Sequence, residues 1–145
     1  MQELPSPVLK RVFDSKNQYY LAVKFTLLDF YSKSLDRTFS FIVPAGLIVD
    51  GASIPRAFWR VIGHPLTSRY WTAFVIHDYL YGFSSISEKE LRLERHEVDD
   101  LFYDLLRAEG VSWFRAKLML NAVWGAGGFV FRKSPNKFIE SIKED

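Results

Sequence analysis

The chain of 145 residues contains no cysteine and carries nearly balanced charge. The lack of cysteine excludes a disulfide framework, thiolate metal ligands and a cysteine nucleophile. The formal net charge of +2 gives no strong signal for nucleic acid as a partner.

The longest stretch without a charged residue, 118–131, is shorter than the roughly 20 residues of a transmembrane helix. Residues 1–7 lack the basic start and apolar run of a signal peptide. The sequence therefore predicts neither a transmembrane segment nor a signal peptide.

Apolar and aromatic residues are abundant. Apolar residues make up 48% of the sequence and charged residues 25%, with 13 Phe, 7 Tyr and 4 Trp residues. This composition is typical of a globular protein and excludes disorder as the main state. The length fits one domain, and the sequence has no linker or repeat. We therefore predict a single domain over residues 1–145 with an aromatic-rich core.

The hydrophobic pattern of the N-terminal third is typical of strands. Segments rich in β-branched and aromatic residues predict three or four antiparallel strands, over residues 8–13, 18–28, 38–43 and 47–49. The polar clusters at 14–17 and 32–34 predict turns between them.

From Gly51 onward the pattern becomes helical. Three main helices are predicted over residues 68–81, 87–109 and 112–124. The second of these begins with capping-box spacing at Ser87 and Glu90, and Gly110 ends it. Strands followed by helices predict an α+β fold, in which a small antiparallel sheet from the N-terminal third packs against three main helices.

The helix predicted over residues 68–81 carries the most informative residues. At about 100° per residue, His77 lies in the middle of an apolar face, and Tyr81 lies close to it on the same face. Asp78 points about 100° away, on a helix that is apolar almost all round. A carboxylate on such a helix needs a hydrogen bond, an ion pair or a bound cation, because an isolated buried charge is costly.

The next helix supplies a partner for His77. Asp99 lies at the edge of its apolar stripe, whereas Asp100 points toward solvent. Asp99 is therefore placed to meet His77 where the two apolar faces pack. Arg95, one turn before Asp99, is placed to pair with it. An internal ion pair and a catalytic role both fit this pattern.

A third group of polar residues lies between the strands and the helices, in the segment from Asp50 to Arg56. Asp-Gly is a turn signal, and Ser53 has the position of a helix N-cap. In a functional interpretation, Asp50 is a metal ligand or acid beside a helix N-terminus, and Arg56 assists with a phosphate or carboxylate. In the simpler interpretation, the segment only connects a strand to a helix.

Several of these motifs occur together in a known family. They are Val49–Arg56 with Phe58 and Trp59, then His77–Tyr81, then Val98 and Asp99 with Phe102, then Gly110 and Val111. In this order they resemble the domain-of-unknown-function family DUF1353, over about residues 44–128. The resemblance implies a phage-borne or prophage-borne protein and no known reaction. It also implies protein partners in the phage particle or the host, and a location in the host cytoplasm or the virion.

A more distant likeness is mechanistic. The pattern His77-Asp78-x-x-Tyr81, followed by a helix that bears Asp99, is similar to the site of secreted phospholipase A2. The likeness implies that His77 activates water, that Asp78 binds calcium and that Asp99 orients His77 with Tyr81 bonded to it. The chain departs from that family because it has neither disulfides nor the glycine-rich calcium loop.

Two functions therefore stay open. The first is a metal-assisted hydrolase in which His77 is the general base, Asp99 orients it, and Asp78 and Asp50 bind Ca²⁺ or Mg²⁺. The second is a non-catalytic phage structural protein, from the tail or virion, or a host-interaction protein. There the same residues form a structural polar network, and Trp59, Trp113 and Trp124 are candidates for the binding surface. The accessibility of His77 distinguishes the two, because a catalytic histidine must open to a cleft.

Overall fold

A computed structural model of the chain describes residues 4–12, 18–49, 71–81 and 93–126. Within these residues the strands precede the helices, so the predicted α+β fold class is confirmed. The strands are β1 (Leu9–Arg11), β2 (Tyr19–Leu21), β3 (Phe25–Ser32), β4 (Arg37–Val43) and β5 (Ile48–Val49). The helices are α1 (Trp71–Tyr81), α2 (Arg95–Ala108) and α3 (Trp113–Ala126). None of the described helices is long and apolar enough to cross a membrane.

The strands form two small antiparallel sheets, not the one sheet that we predicted. One sheet has the order β1-β2-β5, and β3 pairs with β4 in the other. The strand predicted over residues 18–28 is divided between them, which gives five strands among the described residues before residue 50. The hydrophobic alternation does not predict this division. Leu21 and Phe25 are both buried, and their spacing of four residues also fits one face of a single continuous strand. Val23, which is also in phase, is exposed where the chain bends.

The β3–β4 hairpin presents an alternating face to the core. Phe39, Phe41 and Val43 are buried, as their alternation predicts. The turn comprises residues 33–36, whereas we predicted it to begin at Ser32. Ser32 is instead the last residue of β3 and is buried. Its hydroxyl has a partner on α2, as described below, so this polar residue belongs to the strand.

The helices begin and end largely at their capping residues. The continuous helix predicted over residues 87–109 is wrong, because Glu94 is the N-cap of α2 and Leu93 before it is not helical, whereas Ser87 lies outside the described residues. Glu97 Oε1 accepts the Glu94 backbone N–H at 2.8 Å, so a capping box does start this helix, but seven residues later. Gly110 follows the helix with φ 96°, a conformation that favours glycine, and confirms the predicted end.

The core is formed where α1 packs against α2 and against both sheets. α1 is buried on almost every side, through Ala73, Phe74, Val75, Ile76 and Leu80. α2 contacts α1, α3 and β3, and its inner face carries Val98, Leu101, Phe102, Leu105 and Leu106. This packing places the His77 face of α1 directly against the Asp99 face of α2.

One polar cluster holds the β3–β4 turn against α2. Asp104 accepts hydrogen bonds from Ser32 Oγ at 2.5 Å, from the Ser34 backbone N–H at 2.9 Å and from Ser34 Oγ at 2.7 Å. Asp104→Ala is expected to lower the free energy of unfolding by about 1–2 kcal/mol, because it leaves these donors without their charged acceptor. Chemical denaturation measures the change. Asp36→Asn, in the same turn, is the control and is expected to stay within about 0.5 kcal/mol. An equal loss in both variants would contradict the assignment of the effect to Asp104.

Candidate functional site

The centre of the candidate site is one oxygen of Asp99. His77 Nε2 lies 2.9 Å from Asp99 Oδ1, and the Tyr81 hydroxyl donates to the same oxygen at 2.5 Å. His77 and Tyr81 are one turn apart on α1, so both face α2. The predicted contact between His77 and Asp99, with Tyr81 joining it, is therefore present.

The group lies in an apolar, aromatic environment. His77 is 1% exposed and Asp99 is 0% exposed. The His77 ring centroid is 4.2 Å from that of Tyr81 and 4.5 Å from that of Phe102. Burial, followed by the hydrogen bond to Asp99, raises the pKa of the Tyr81 hydroxyl. Tyr81 therefore keeps its proton and acts as a donor throughout the physiological pH range.

The geometry determines which nitrogen of His77 carries the proton. A carboxylate accepts hydrogen bonds, so a neutral imidazole beside Asp99 Oδ1 carries its hydrogen on Nε2. Nδ1 then carries no hydrogen and is an acceptor, which is the tautomer that a general base at Nδ1 requires.

The second oxygen of Asp99 is less well satisfied. Oδ2 is buried and has no hydrogen-bond partner among the described residues. Arg95 Nη1 lies 3.9 Å from it, so the predicted pairing exists as a long ion pair. The same guanidinium nitrogen donates to the Trp124 carbonyl oxygen at 3.0 Å. Arg95 thus ties α2 to the end of α3 while its charge remains close to Asp99.

The remaining predicted site residues are not brought together by what the structure describes. Asp78 is half-buried on α1. Asp50, Ser53 and Arg56 lie outside the described residues, as does Trp59. Across the described ranges, no group of three or more His, Asp or Glu side chains is arranged to hold a metal ion. A Ca²⁺ or Mg²⁺ site at Asp78 and Asp50 therefore stays a prediction.

Sequence reasoning missed Glu109. This residue follows α2, and its Oε1 accepts the backbone N–H of Ala73 at 2.7 Å in the first turn of α1. The carboxylate caps the helix that carries His77, although 36 residues separate the two partners. Burial raises the pKa of Glu109 to about 7, against the lowering effect of the Ala73 and Thr72 backbone N–H groups. The only signal in the sequence was an acid beside the helix-ending Gly110.

This raised pKa gives a pH dependence with a definite sign. The folded state binds the Glu109 proton more tightly than the unfolded chain does. The contribution of Glu109 to the free energy of unfolding is therefore largest below about pH 4.5, and it decreases as the pH rises to about 7. The loss is on the order of 2–3 kcal/mol. Glu109→Gln is expected to remove this slope, because a neutral amide oxygen still accepts from Ala73. Denaturation midpoints of both proteins between pH 4.5 and 7.5 measure it, and parallel profiles would contradict the prediction.

One comparison with known proteins identifies a family. The profile of DUF1353, described as a protein of unknown function, matches residues 25–123. The uncharacterized protein y4jT of Sinorhizobium fredii is 43% identical over 81 residues, which are 56% of this chain and 22% of that protein. The uncharacterized protein y4iH of the same organism is 35% identical over 78 residues, 54% of this chain and 30% of that protein. The chain thus spans less than a third of either relative. No solved structure matches it.

Proposed function

We propose that this chain, which belongs to DUF1353, a family of proteins of unknown function, is a hydrolase with His77 as its general base. The observation that supports the proposal is the shared Asp99 oxygen, which engages His77 Nε2 at 2.9 Å and the Tyr81 hydroxyl at 2.5 Å. Two donors on one carboxylate oxygen, inside an apolar core, orient the imidazole more strictly than a single exposed contact would.

The chemistry follows from the tautomer. His77 Nδ1 takes a proton from a water molecule while the water oxygen attacks the electrophilic centre of an ester. The imidazolium that forms is stabilised by the Asp99 carboxylate. The bond between the electrophilic centre and the leaving alkoxide oxygen then breaks, and that oxygen takes the Nδ1 proton. Asp99 and Tyr81 do not touch the reacting atoms in this scheme. They are positioning residues.

Accessibility provides the first test. Diethylpyrocarbonate modifies histidines that a small reagent can reach, and mass spectrometry of the peptides identifies them. Because His77 is 1% exposed, the hydrolase requires the site to open in solution. The proposal therefore expects slow modification of His77 in the native chain, at a rate that Asp99→Asn changes. His96, which is exposed on α2, is the internal reference. An unreactive His77 beside a fully modified His96 would reject the hydrolase, because no substrate would reach the base.

Turnover provides the second test. The full chain is assayed with a chromogenic carboxylic ester and a chromogenic phosphodiester, with and without Ca²⁺. Activity is expected to fall by about 100-fold or more in His77→Gln, as for loss of a general base. Tyr81→Phe is expected to lower it less, with a shifted pH profile. His96→Ala is the matched control and should retain full activity. Equal activity in His77→Gln would overturn the assignment of the base.

The second candidate is a structural polar network. It is favoured by the burial of the pair, since His77 is 1% exposed and Asp99 is 0% exposed. In that case the residues fix the packing of α1 on α2, and the protein is a non-catalytic phage tail, virion or host-interaction protein. Variants of His77 would then lose stability, and the native chain would show neither His77 modification nor hydrolysis.

The metal site predicted at Asp78 and Asp50 can be tested at Asp78. We expect Asp78→Asn to lower the thermal midpoint equally with Ca²⁺, Mg²⁺ or a chelator, because calcium takes about 6–8 oxygen ligands and the sequence offers few near Asp78. Differential scanning fluorimetry measures this. A loss that appears only with Ca²⁺ or Mg²⁺ present would instead support a metal-assisted hydrolase, since a ligand that binds the native state stabilises it.

The biological setting is also a proposal, supported by the family resemblance alone. We propose that the chain is phage-borne or prophage-borne, is located in the host cytoplasm or the virion, and has protein partners there. Mass spectrometry of purified particles and of the cleared lysate of an induced host distinguishes these two locations.

A further inference from the structure

The exposed side of α3 carries a row of large aromatic residues. Trp113, Phe114 and Trp124 are 59%, 63% and 43% exposed. At about 100° per residue, the three lie within roughly 100° of one another around the helix, and the row is about 16 Å long. Lys117 and Asn121, both exposed, lie between them on the same side. We refer to these five residues, Trp113, Phe114, Lys117, Asn121 and Trp124, as the α3 stripe.

The basic residues of α3 lie in its first half, on the α3 stripe and beside it. α3 contains Arg115 and Lys117 and no acidic residue. Lys117 Nζ lies 5.0 Å from the ring centroid of Tyr103 on α2. Its positive charge therefore lies on the side of the molecule where α2 and α3 pack together. The nearby acids of α2, Glu97 and Asp100, are half-buried.

Basic side chains also flank both ends of the α3 stripe. At the start, Arg107 Nη1 donates to the Val111 carbonyl oxygen at 2.9 Å, two residues before Trp113. At the other end, Arg95 donates to the Trp124 carbonyl oxygen, and the His96 ring centroid lies 5.1 Å from that of Trp124. The three exposed aromatics thus share one side of the helix with Lys117, and Arg107 and Arg95 contact the backbone at its two ends.

We propose that the α3 stripe docks flat on an anionic lipid surface. Tryptophan favours the boundary between headgroups and acyl chains, and phenylalanine favours the apolar layer beneath it. Lysine and arginine beside them attract anionic headgroups. A helix that presents aromatics and cations, and no acid, complements such a layer in both charge and polarity. Docking is independent of the proposed hydrolysis, because the stripe binds lipid whether or not His77 turns over a substrate.

The test uses the full chain and vesicles of defined composition. Binding is measured by co-sedimentation with vesicles of phosphatidylcholine alone and with equal parts of phosphatidylglycerol. We expect binding to the anionic vesicles only, a blue shift of tryptophan emission on binding, and loss of binding as the salt concentration rises.

Matched variants separate the stripe from general surface hydrophobicity. The double substitution Trp113→Ala with Phe114→Ala is expected to lower partitioning by about tenfold or more, because both side chains leave the apolar layer. Arg115→Glu with Lys117→Glu is expected to abolish the preference for anionic vesicles. The control is Leu28→Ala with Ile42→Ala, which removes side chains that are 65% and 59% exposed on the β3–β4 hairpin. All these positions are exposed, and circular dichroism verifies that each variant folds.

Three results would overturn the proposal. The first is no binding to either kind of vesicle, and the second is equal loss of binding in the stripe and hairpin variants. The third is a dimer in sedimentation velocity that dissociates in the Trp113→Ala, Phe114→Ala protein, which would make a second copy of the chain the occupant of the stripe.

Discussion

Asp99→Ala is expected to lower the free energy of unfolding by about 3–5 kcal/mol, because each buried donor that loses its acceptor costs about 1–3 kcal/mol. The substitution strands two donors at once, His77 Nε2 and the Tyr81 hydroxyl, in a site where both partners are almost completely buried. It also leaves the Arg95 charge without its carboxylate. Equilibrium urea denaturation measures the loss.

The partners of Asp99 supply the controls for this result. His77→Ala and Asp99→Ala should not add in the double variant, because the second substitution removes a group that the first has already left unpaired. Asp100→Ala, one position along on the half-buried side of α2, should cost much less. Additive losses for His77 and Asp99, or similar losses for Asp99→Ala and Asp100→Ala, would contradict the pairing.

Phe102→Ala is expected to cost about 3–5 kcal/mol. The side chain is 1% exposed, and its ring centroid lies 4.5 Å from that of His77 and 5.6 Å from that of Phe74. Its removal opens a cavity between α1 and α2 and takes away the ring that packs against the imidazole. Phe102→Leu should recover part of the loss, because it refills much of the volume.

The exposed Phe114 on α3 is the matched control for Phe102. Phe114→Ala removes the same side chain from a position that is 63% exposed, so its effect should stay within about 0.5 kcal/mol. A loss at Phe102 no larger than that at Phe114 would show that the α1–α2 interface does not carry the core packing described here.

Local sequence patterns were sufficient to predict which side chains of α1 and α2 meet in the candidate site. The 3.6-residue period placed His77 and Tyr81 on one face of α1 and Asp99, not Asp100, on the inner face of α2. Two successive helices bury their apolar faces by packing them against each other, because this removes apolar surface from water. The polar residues within those faces are therefore brought into contact. The start of α3 likewise followed from a local signal, since Ser112 Oγ accepts the Arg115 backbone N–H at 3.3 Å.

The start of α2 shows where local signals compete. Ser87 with Glu90 and Glu94 with Glu97 both have capping spacing, and the helix uses the second pair. The helix that Glu94 caps begins one turn before Asp99, with Arg95 as its first residue, and the Arg95 guanidinium donates to the Trp124 carbonyl oxygen on α3. Propensity alone does not distinguish two capping boxes seven residues apart.

What the sequence by itself determined is the α+β class, the inner faces of α1 and α2, and the identity of the His77–Asp99–Tyr81 group. These follow from the periodicity of apolar residues, which is a property of each segment taken alone. Only the tertiary structure decided the division of the β2–β3 segment between two sheets, the Glu109 cap on α1 and the Asp104 clamp on the β3–β4 turn. The Glu109–Ala73 and Asp104–Ser32 contacts join residues 36 and 72 positions apart. Their hydrogen bonds form only after the core has brought distant backbone and side chains together, so no local pattern contains them.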